Sequence, residues 1–233
     1  MRPRVALAAA ASLDGKLSTA ARDPVTFTSR ADRRRLFALR DGADAVLLAA
    51  GTLRAEDYPL LPSEHAAEPT PDRVAARVAA GLRPHPVRAV VSASLDLPLG
   101  RALAPREGAP IVVFTTEAAD PARRARLEQG GCEVVAAGRG PVDLARALEH
   151  LARAHGVARV LGEGGGQLNA ALLAQDLVDE VHLTICPVLI GGSGAPTLID
   201  GAGLASDALR HARLTACEQV GQEVFLTYDL RGV

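Results

Sequence analysis

No stretch of this chain restricts its fold as strongly as Arg159 to Leu173. A short apolar run breaks there into Gly162-Glu163-Gly164-Gly165-Gly166, and Leu168, Ala171 and Leu172 then recur at helical spacing. This pattern predicts a strand, a glycine turn and the start of a helix. Glycines tolerate positive φ and have no Cβ, and the first N–H groups of a helix favour a phosphate. The turn is therefore either an anion cradle or a tightly packed turn.

The turn departs from the common phosphate-binding motifs. A dinucleotide fingerprint starting at Gly162 needs a third glycine where Gln167 stands, and no Gly-Lys-Ser/Thr follows for a P-loop. Glu163 lies inside the turn, where a phosphate would repel its carboxylate. We infer that the glycine amides face a phosphate and that Glu163 faces a second ligand, either cationic or rich in N–H groups.

Length and charge predict one α/β domain that binds small ligands. The 233 residues, 48% of them hydrophobic, suffice for a sizeable core. The 26 basic and 27 acidic residues nearly cancel and are dispersed, which disfavours nucleic acid or a membrane surface as partner. Ser12 to Lys16 interrupts the apolar run from Val5 to Ala11, so this run indicates a buried strand rather than a signal peptide. We therefore expect a cytoplasmic protein.

Apolar runs alternate with helical patterns over most of the chain. The predicted strands of this part are Val5 to Ala11, Ala45 to Ala50, Val87 to Val91, Ile111 to Phe114 and Glu133 to Ala136. The predicted helices begin after the caps at Thr28-Ser29, at Pro121 and at Val142, and they end near Arg40, Gln129 and His155. Gly51 to Asp57 is predicted as a turn after the second strand. Pro62 to Pro86 reads as an insert with a surface helix over Asp72 to Ala80.

The C-terminal part has a different pattern. Val181 to Ile185, Val188 to Ile190 and Val224 to Tyr228 indicate antiparallel strands added to a mainly parallel sheet. Open edges of these strands predict a homodimer. The three cysteines are odd in number and far apart, so they indicate packing residues rather than disulfides or a metal site.

Motifs for independent acid–base or metal chemistry are missing. The sequence has no zinc-deaminase pattern, no His pair at i, i+4 beside a Glu and no nucleophile elbow, and its six His are scattered. We therefore expect no metal site and assign no catalytic residue. A bound cofactor would supply the reactivity and the protein would position it.

Six motifs in a fixed order resemble the pyrimidine reductases of riboflavin biosynthesis. They are Ser12 to Lys16, Leu39-Arg40 ahead of Ala43 to Val46, Gly51 to Asp57, Glu163 to Asn169, Leu177 to Glu180, and Gly191 to Thr197. The resemblance implies a dihydrofolate reductase-like three-layer α/β fold over a single reductase domain, residues 1–233. It also implies a homodimer and NADPH-dependent hydride transfer to C1′ of a ring-opened ribosylamino imine. The substrate would be an aminopyrimidine ribose 5-phosphate and the product a ribitylamino compound.

The resemblance also assigns roles to individual residues. Glu163, Arg40 and Leu60 fall on the substrate side. The cofactor side comprises Ala10, Thr52, Glu56, Ser92, Ser94, Thr115, Gly164, Gly165, Gly166, Gln167, Leu168 and Asn169. Glu163 suits the reaction because a carboxylate can accept pyrimidine N–H bonds and stabilise a developing iminium. Arg40 either contacts the substrate phosphate or only complements the dipole at a helix end.

The chain departs from the family pattern at three places, one of which is a pair of residues. The family often has Lys or Asn at Ala8, Asp-Ser at Ser92-Ala93, and a second substrate arginine near Ser63. These differences leave the exact substrate open. The alternatives are a reductase of a pterin or dihydrofolate-type ring and a non-catalytic NADP-binding protein.

Overall fold

The computed structural model describes residues 2–22, 26–55, 60 and 73–231. Their nine strands are β1 Arg4–Ser12, β2 Ala45–Ala49, β3 Val87–Val91, β4 Ile111–Thr115, β5 Glu133–Ala136, β6 Arg159–Gly162, β7 Glu180–Cys186, β8 Arg213–Val220 and β9 Glu223–Asp229. Their six α-helices are α1 Arg30–Gly42, α2 Ala50–Ala55, α3 Arg73–Ala79, α4 Pro121–Gln129, α5 Leu144–His155 and α6 Gly166–Ala174. The strands form one mixed sheet.

The chain divides into two compact units. The first comprises Met1–Pro3 and Phe37–Leu161, and the second comprises Arg4–Leu36 and Gly162–Val233. Each unit therefore combines segments that are distant in the sequence. The single reductase domain over residues 1–233 remains a prediction.

The first unit is an all-parallel array of strands with helices between them. β2 pairs with β3, β3 with β4 and β4 with β5, each in parallel. Val46, Leu48, Val90 and Val113 are fully buried in its core. Such strands, covered on both faces, are typical of crossover connections through helices. The parallel part of the predicted sheet is thus confirmed.

Local capping explains where the helices of the first unit begin and end. The Asp120 carboxylate accepts a hydrogen bond from the N–H of Ala122 at 2.8 Å, and Pro121 occupies the first helical turn of α4. Asp143 caps α5 in the same way, so this helix begins at Leu144 rather than at the predicted Val142. Gly156 ends α5 with a φ of 64°, a left-handed conformation that glycine adopts at little cost.

The segment between β2 and β3 differs in part from the prediction. The predicted turn at Gly51 to Asp57 is wrong for its first part, because α2 begins directly after β2 at Ala50. The described part of the insert contains α3, inside the predicted helix of residues 72–80. Residues 61–72, including Ser63, lie outside the described residues.

The second unit contains the antiparallel strands. β1 pairs in parallel with β7, and β7 pairs in antiparallel fashion with β9. β8 pairs with β9 in antiparallel fashion and has a register irregularity at Leu214 and Ala216. The predicted mixed sheet with antiparallel C-terminal strands is confirmed. β8 has no signal in the sequence, because most of its residues are exposed and it has no apolar face.

The predicted strand at Val188 to Ile190 is wrong. β7 ends at Cys186, and the N–H of Val188 donates to the carbonyl of Cys186 in a tight turn around Pro187. The backbone N–H of Ile190 then donates to Asp14 instead of to a neighbouring strand. Proline has no N–H to donate to a ladder, so pairing stops at this residue.

Among the helices of the described residues, none combines the length and the apolar character that crossing a membrane requires.

Candidate active site

The glycine turn has the predicted strand–turn–helix geometry. β6 ends at Gly162, Glu163 follows half-buried, and α6 begins at Gly166. Gly164 and Gly165 have φ angles of 120° and 82°, which L side chains rarely adopt. Gly165 is the N-cap residue of α6, so no side chain caps the helix there. The amides and the positive end of the helix dipole at this turn favour an anion.

A second segment packs against the start of α6. A Cβ on Gly166 would collide with the carboxylate of Asp200 and would lie 2.6 Å from the carbonyl oxygen of Thr197. The N–H of Asp200 donates to the carbonyl of Gly166 at 3.0 Å. Nδ2 of Asn169 donates to the carbonyl of Leu198 at 2.9 Å. Gly166 and Asn169 therefore hold this segment, whatever else they bind.

The position of Asp200 restricts where an anion can lie. Its Oδ1 accepts hydrogen bonds from the N–H of Thr197 at 2.9 Å and from the Thr197 hydroxyl at 2.8 Å. Its other oxygen, Oδ2, lies next to the position that a Cβ on Gly166 would occupy. A phosphate on that side would meet a like charge, so Gly164 and Gly165 are the better-placed glycines of the cradle. Asp200 is a site residue that was not predicted from the sequence, although it follows the Gly191 to Thr197 motif by three residues.

Asp14 links two of the motifs in the second unit. Its Oδ1 accepts hydrogen bonds from the Ser12 hydroxyl at 2.6 Å and from the N–H of Ile190 at 3.0 Å, and its Oδ2 accepts one from the N–H of Gly191 at 2.7 Å. The bond from Ser12, followed by those from Ile190 and Gly191, lowers the pKa of Asp14 to about 2. These contacts hold the loop after β1 against the segment after β7.

Two of the predicted cofactor residues lie together in the first unit. Val91 and Phe114 are register partners, so Ser92 and Thr115 follow at the carboxyl ends of adjacent parallel strands. The N–H of Ser92 donates to the carbonyl of Phe114 at 2.9 Å, and the Thr115 hydroxyl donates to the carbonyl of Ala93 at 3.2 Å. Open α/β sheets bind ligands at this end of their strands.

Two further predicted cofactor residues, Ser94 and Thr52, also belong to the first unit. Ser94 is exposed, and Nη1 of Arg123 donates to its carbonyl at 3.1 Å. Thr52 lies half-buried in α2. Arg123, on α4, was not singled out from the sequence, because nothing local distinguishes it from the neighbouring arginines.

The remaining predicted site residues are distributed over both units. Ala10 is half-buried on β1 opposite Thr184 of β7. Arg40 lies in the last turn of α1 and is 1% exposed, with its guanidinium carbon 5.8 Å from the ring centroid of Phe37. Leu60 is also buried. Glu163 belongs to the second unit and Arg40 to the first. Glu56 lies outside the described residues.

One half-buried histidine and two of the three cysteines have ordinary packing environments. His182 contacts Glu180 and Thr227 on β7 and β9, and burial lowers its pKa. Cys132 and Cys186 are buried, and burial raises the pKa of Cys186 to about 12, as expected for packing residues. Cys217 is exposed on β8, so its interpretation as a packing residue is wrong.

Comparison with known proteins connects this geometry to a family. The profile of the RibD C-terminal domain matches residues 3–226. The chain belongs to the RibD C-terminal domain family. It is 37% identical to the 2,5-diamino-6-ribosylamino-4(3H)-pyrimidinone 5′-phosphate reductase of Methanothermobacter thermautotrophicus, over the full length of both chains. A protein of the same name from Archaeoglobus fulgidus is 34% identical over 97% of this chain and 98% of the relative.

A solved structure with 23% identity has the same fold. The pyrimidine reductase-like protein of Corynebacterium diphtheriae superimposes with a TM-score of 0.82 at 23% identity, covering 98% of this chain and 92% of that chain. The predicted dihydrofolate reductase-like fold is confirmed.

Proposed function

We propose that this protein is an NADPH-dependent reductase of an aminopyrimidine ribose 5-phosphate in riboflavin biosynthesis. The observation that carries the proposal is the 37% identity, over both complete chains, with a protein named as a 2,5-diamino-6-ribosylamino-4(3H)-pyrimidinone 5′-phosphate reductase. The reaction would reduce C1′ of the ring-opened ribosylamino imine and yield the ribitylamino product. Both proposed reactants, the aminopyrimidine ribose 5-phosphate and NADPH, are water-soluble, which agrees with the expected cytoplasmic location.

The glycine turn fits the pyrophosphate of NADPH. Gly164 and Gly165 present backbone in positive φ, and no side chain caps the start of α6. Two phosphate groups need several N–H donors at close approach, which bare backbone supplies better than side chains do. When bound, NADPH supplies the hydride. Ser92, Ser94 and Thr115 are proposed for the adenosine side, because they share the carboxyl ends of β3 and β4.

Glu163 is proposed to bind the pyrimidine. It directly precedes the two glycines with positive φ, and it is half-buried, so its carboxylate is partly removed from water. A carboxylate there can accept ring N–H bonds and favour positive charge that develops as the imine becomes reactive. Its action is electrostatic and positional. The proton donor for the product nitrogen is left unassigned.

Arg40 is proposed to bind the substrate phosphate. Arginine forms paired hydrogen bonds with phosphate oxygens, and a buried guanidinium exerts a strong field on a ligand that reaches it. With 1% of Arg40 exposed, the phosphate has to approach through the residues that cover this side chain. The alternative is that Arg40 is only a buried arginine at a helix end. The experiment must distinguish this structural role from phosphate binding.

Steady-state kinetics test the proposal. Loss of NADPH absorbance is measured with the phosphorylated pyrimidine, its dephosphorylated form and dihydrofolate. The variants are Glu163→Gln, which keeps shape but converts an acceptor into a donor, and Arg40→Met. Each is expected to lower kcat/KM for the phosphorylated substrate about thirty- to a hundred-fold, or by about 2 to 3 kcal/mol, and to leave NADPH binding intact.

Matched controls identify nonspecific effects. Glu149→Gln on α5 and Arg33→Met on α1 change exposed residues of the same types. Both should retain parental kinetics. Dihydrofolate as the best substrate would replace the proposal with the dihydrofolate-type alternative. An unchanged phosphate preference in Arg40→Met would remove Arg40 from the substrate site.

A further inference from the structure

The structure brings together three potential metal ligands that lie far apart in the sequence. Nε2 of His150 lies 2.7 Å from Oε1 of Glu133, and Nε2 of His155 lies 2.9 Å from Oε2 of the same carboxylate. All three ligand groups have an available atom within 4.8 Å of the others. They belong to the first unit, where Glu133 begins β5 and both histidines lie on α5.

We propose that Glu133, His150 and His155 bind a divalent transition-metal ion of the Zn²⁺ type. Imidazole nitrogen and carboxylate oxygen are the ligands that Zn²⁺ combines in sites with three protein ligands and one further position for water. Both histidines already direct the same ring nitrogen toward the shared carboxylate. The proposal is independent of the reductase function and adds a site outside the residues assigned to it.

The ligand atoms would have to rearrange to admit an ion, because they lie within 4.8 Å of one another but not at the spacing of a tetrahedral site. Bonds from Zn²⁺ to these ligand atoms are about 2.0 to 2.2 Å long, so tetrahedral ligands stand about 3.3 Å apart. Each nitrogen–carboxylate distance would lengthen by about 0.5 Å, and the two imidazole nitrogens would settle about 3.3 Å apart. The Glu133 side chain is 43% exposed, and Glu133 is the first residue of a strand of only four residues. A rotation of this side chain can therefore supply the movement.

The two histidines are held more firmly than Glu133. The His150 ring makes an edge contact with Phe114, at 5.9 Å between ring centroids, and Phe114 is fully buried on β4. His155 is the last residue of α5, and its carbonyl accepts a hydrogen bond from Arg83 at 3.0 Å. Rings that are positioned before an ion arrives lose less freedom on binding it.

The surroundings provide access for the ion. His150 also lines a cavity of about 690 Å³ formed by β5, the residue after it and α5. The side chains of His150 and His155 are 19% and 13% exposed, which leaves each partly open. A site of this kind needs an entry path as well as correct ligands. A bound ion would join the start of β5 to the end of α5.

Metal titration of the untagged protein tests the site. After treatment with a chelator, Zn²⁺ is titrated in competition with a chromophoric chelator, and Co²⁺ is added separately to record visible absorption. The parent is expected to bind one equivalent of Zn²⁺ and to give the intense Co²⁺ bands typical of four-coordinate sites. Glu133→Gln, His150→Gln and His155→Gln should each weaken Zn²⁺ binding at least about tenfold.

His211→Gln is the matched control, because it removes an exposed histidine from the other unit. It should bind Zn²⁺ like the parent. Zn²⁺ should also raise the Tm of the parent and of His211→Gln but not that of His155→Gln, since a ligand stabilises only the state that binds it. His155 is at a helix end, so this variant remains informative if His150→Gln fails to fold. Parental binding in His155→Gln, or equal loss in His211→Gln, would overturn the proposal.

Discussion

Asp14 shows how one exposed carboxylate can organise two loops. Its oxygens accept hydrogen bonds from one hydroxyl and two backbone N–H groups, which belong to Ser12, Ile190 and Gly191. Each bond favours the ionised carboxylate, and together they lower its pKa from 3.8 to about 2. The same contacts that shift the pKa also hold the segment after β7 beside the loop after β1.

The lowered pKa predicts a loss of stability in acid. A carboxylate with a depressed folded-state pKa contributes stability that is present above pH 3.8 and is lost as pH falls toward 2. We expect Asp14→Asn to remove this part of the acid dependence, so the Tm of the variant should fall less steeply than that of the parent between pH 4 and pH 2. Thermal unfolding in a pH series measures it. Asp207→Asn, at an exposed position, should follow the parent, and identical slopes for Asp14→Asn and parent would contradict the prediction.

Among the elements, the glycine turn before α6 combines backbone strain with ligand access. Gly165 has a φ of 82° and is the N-cap residue of α6, so any side chain there strains the backbone and adds atoms at the start of the helix. We expect Gly165→Val to weaken NADPH binding at least about tenfold, which corresponds to about 1.4 kcal/mol. Fluorescence titration with NADPH measures the affinity.

Gly203→Val is the control that distinguishes the effect of backbone strain from the effect of blocking the ligand. Gly203 has a similar φ of 77°, and a Cβ there meets nothing within 4 Å. This variant should lose stability to a comparable extent but keep its NADPH affinity. If Gly165→Val binds NADPH as tightly as the parent, the pyrophosphate does not lie on this turn.

Helix α3 has a structural role at the end of α1. Nη1 of Arg77 donates to three carbonyl oxygens, those of Arg40, Asp41 and Ala43, at 3.0, 2.7 and 2.9 Å. Arg77 is 1% exposed, and burial lowers its pKa. The carbonyls at a helix end have no intrahelical partners, and a guanidinium also complements the negative end of the dipole.

Removing this side-chain cap should destabilise the protein. We expect Arg77→Met to lower the free energy of unfolding by about 2 to 4 kcal/mol, because buried carbonyls lose charged donors. Urea denaturation measures the change. The control Arg126→Met alters an exposed arginine of α4 and should change stability by less than about 0.5 kcal/mol. A similarly small change in Arg77→Met would show that these hydrogen bonds contribute little.

For the whole molecule, the open end of the sheet is the feature that matters most. β8 lies last in the strand order, and seven of its eight residues are exposed. Unpaired edges of this length are usually covered, shortened or paired with another chain. Leu214, on β8, is 49% exposed. β7 and β9, whose edges were expected to be open, each have a neighbouring strand on both sides, so the predicted homodimer now depends on the edge of β8 instead.

Light scattering tests the homodimer at micromolar concentration, where we expect twice the mass of the 24.1 kDa chain. Leu214→Lys should shift the protein toward monomer, because it places a charge on the exposed strand. Leu99→Lys, at a leucine of the first unit that is 43% exposed, should leave the mass unchanged. A sharp monomer mass for the parent would contradict the prediction.

Local signals in the chain were sufficient for most elements. Asp120 with Pro121, Asp143 and Gly156 act within a few residues of where they stand, so the ends of α4 and α5 follow from short-range hydrogen bonding and φ preferences. The glycine turn after β6 is equally local. The mixed sheet followed from apolar runs for the same reason, since burial on both faces leaves a continuous apolar segment.

Contacts between distant segments depended on the folded chain. The N–H of Ile190 donates to a carboxylate 176 residues away, so the apolar run after Pro187 finds its partner outside any strand ladder. Glu133 meets His150 and His155 only because β5 and α5 pack together, and their spacing of 17 and 22 residues matches no local period. Short-range preferences are properties of a few neighbouring residues, whereas the partner of a side chain is set by the packing of whole elements. The former could therefore be predicted from the sequence, and the latter had to be observed in the tertiary structure.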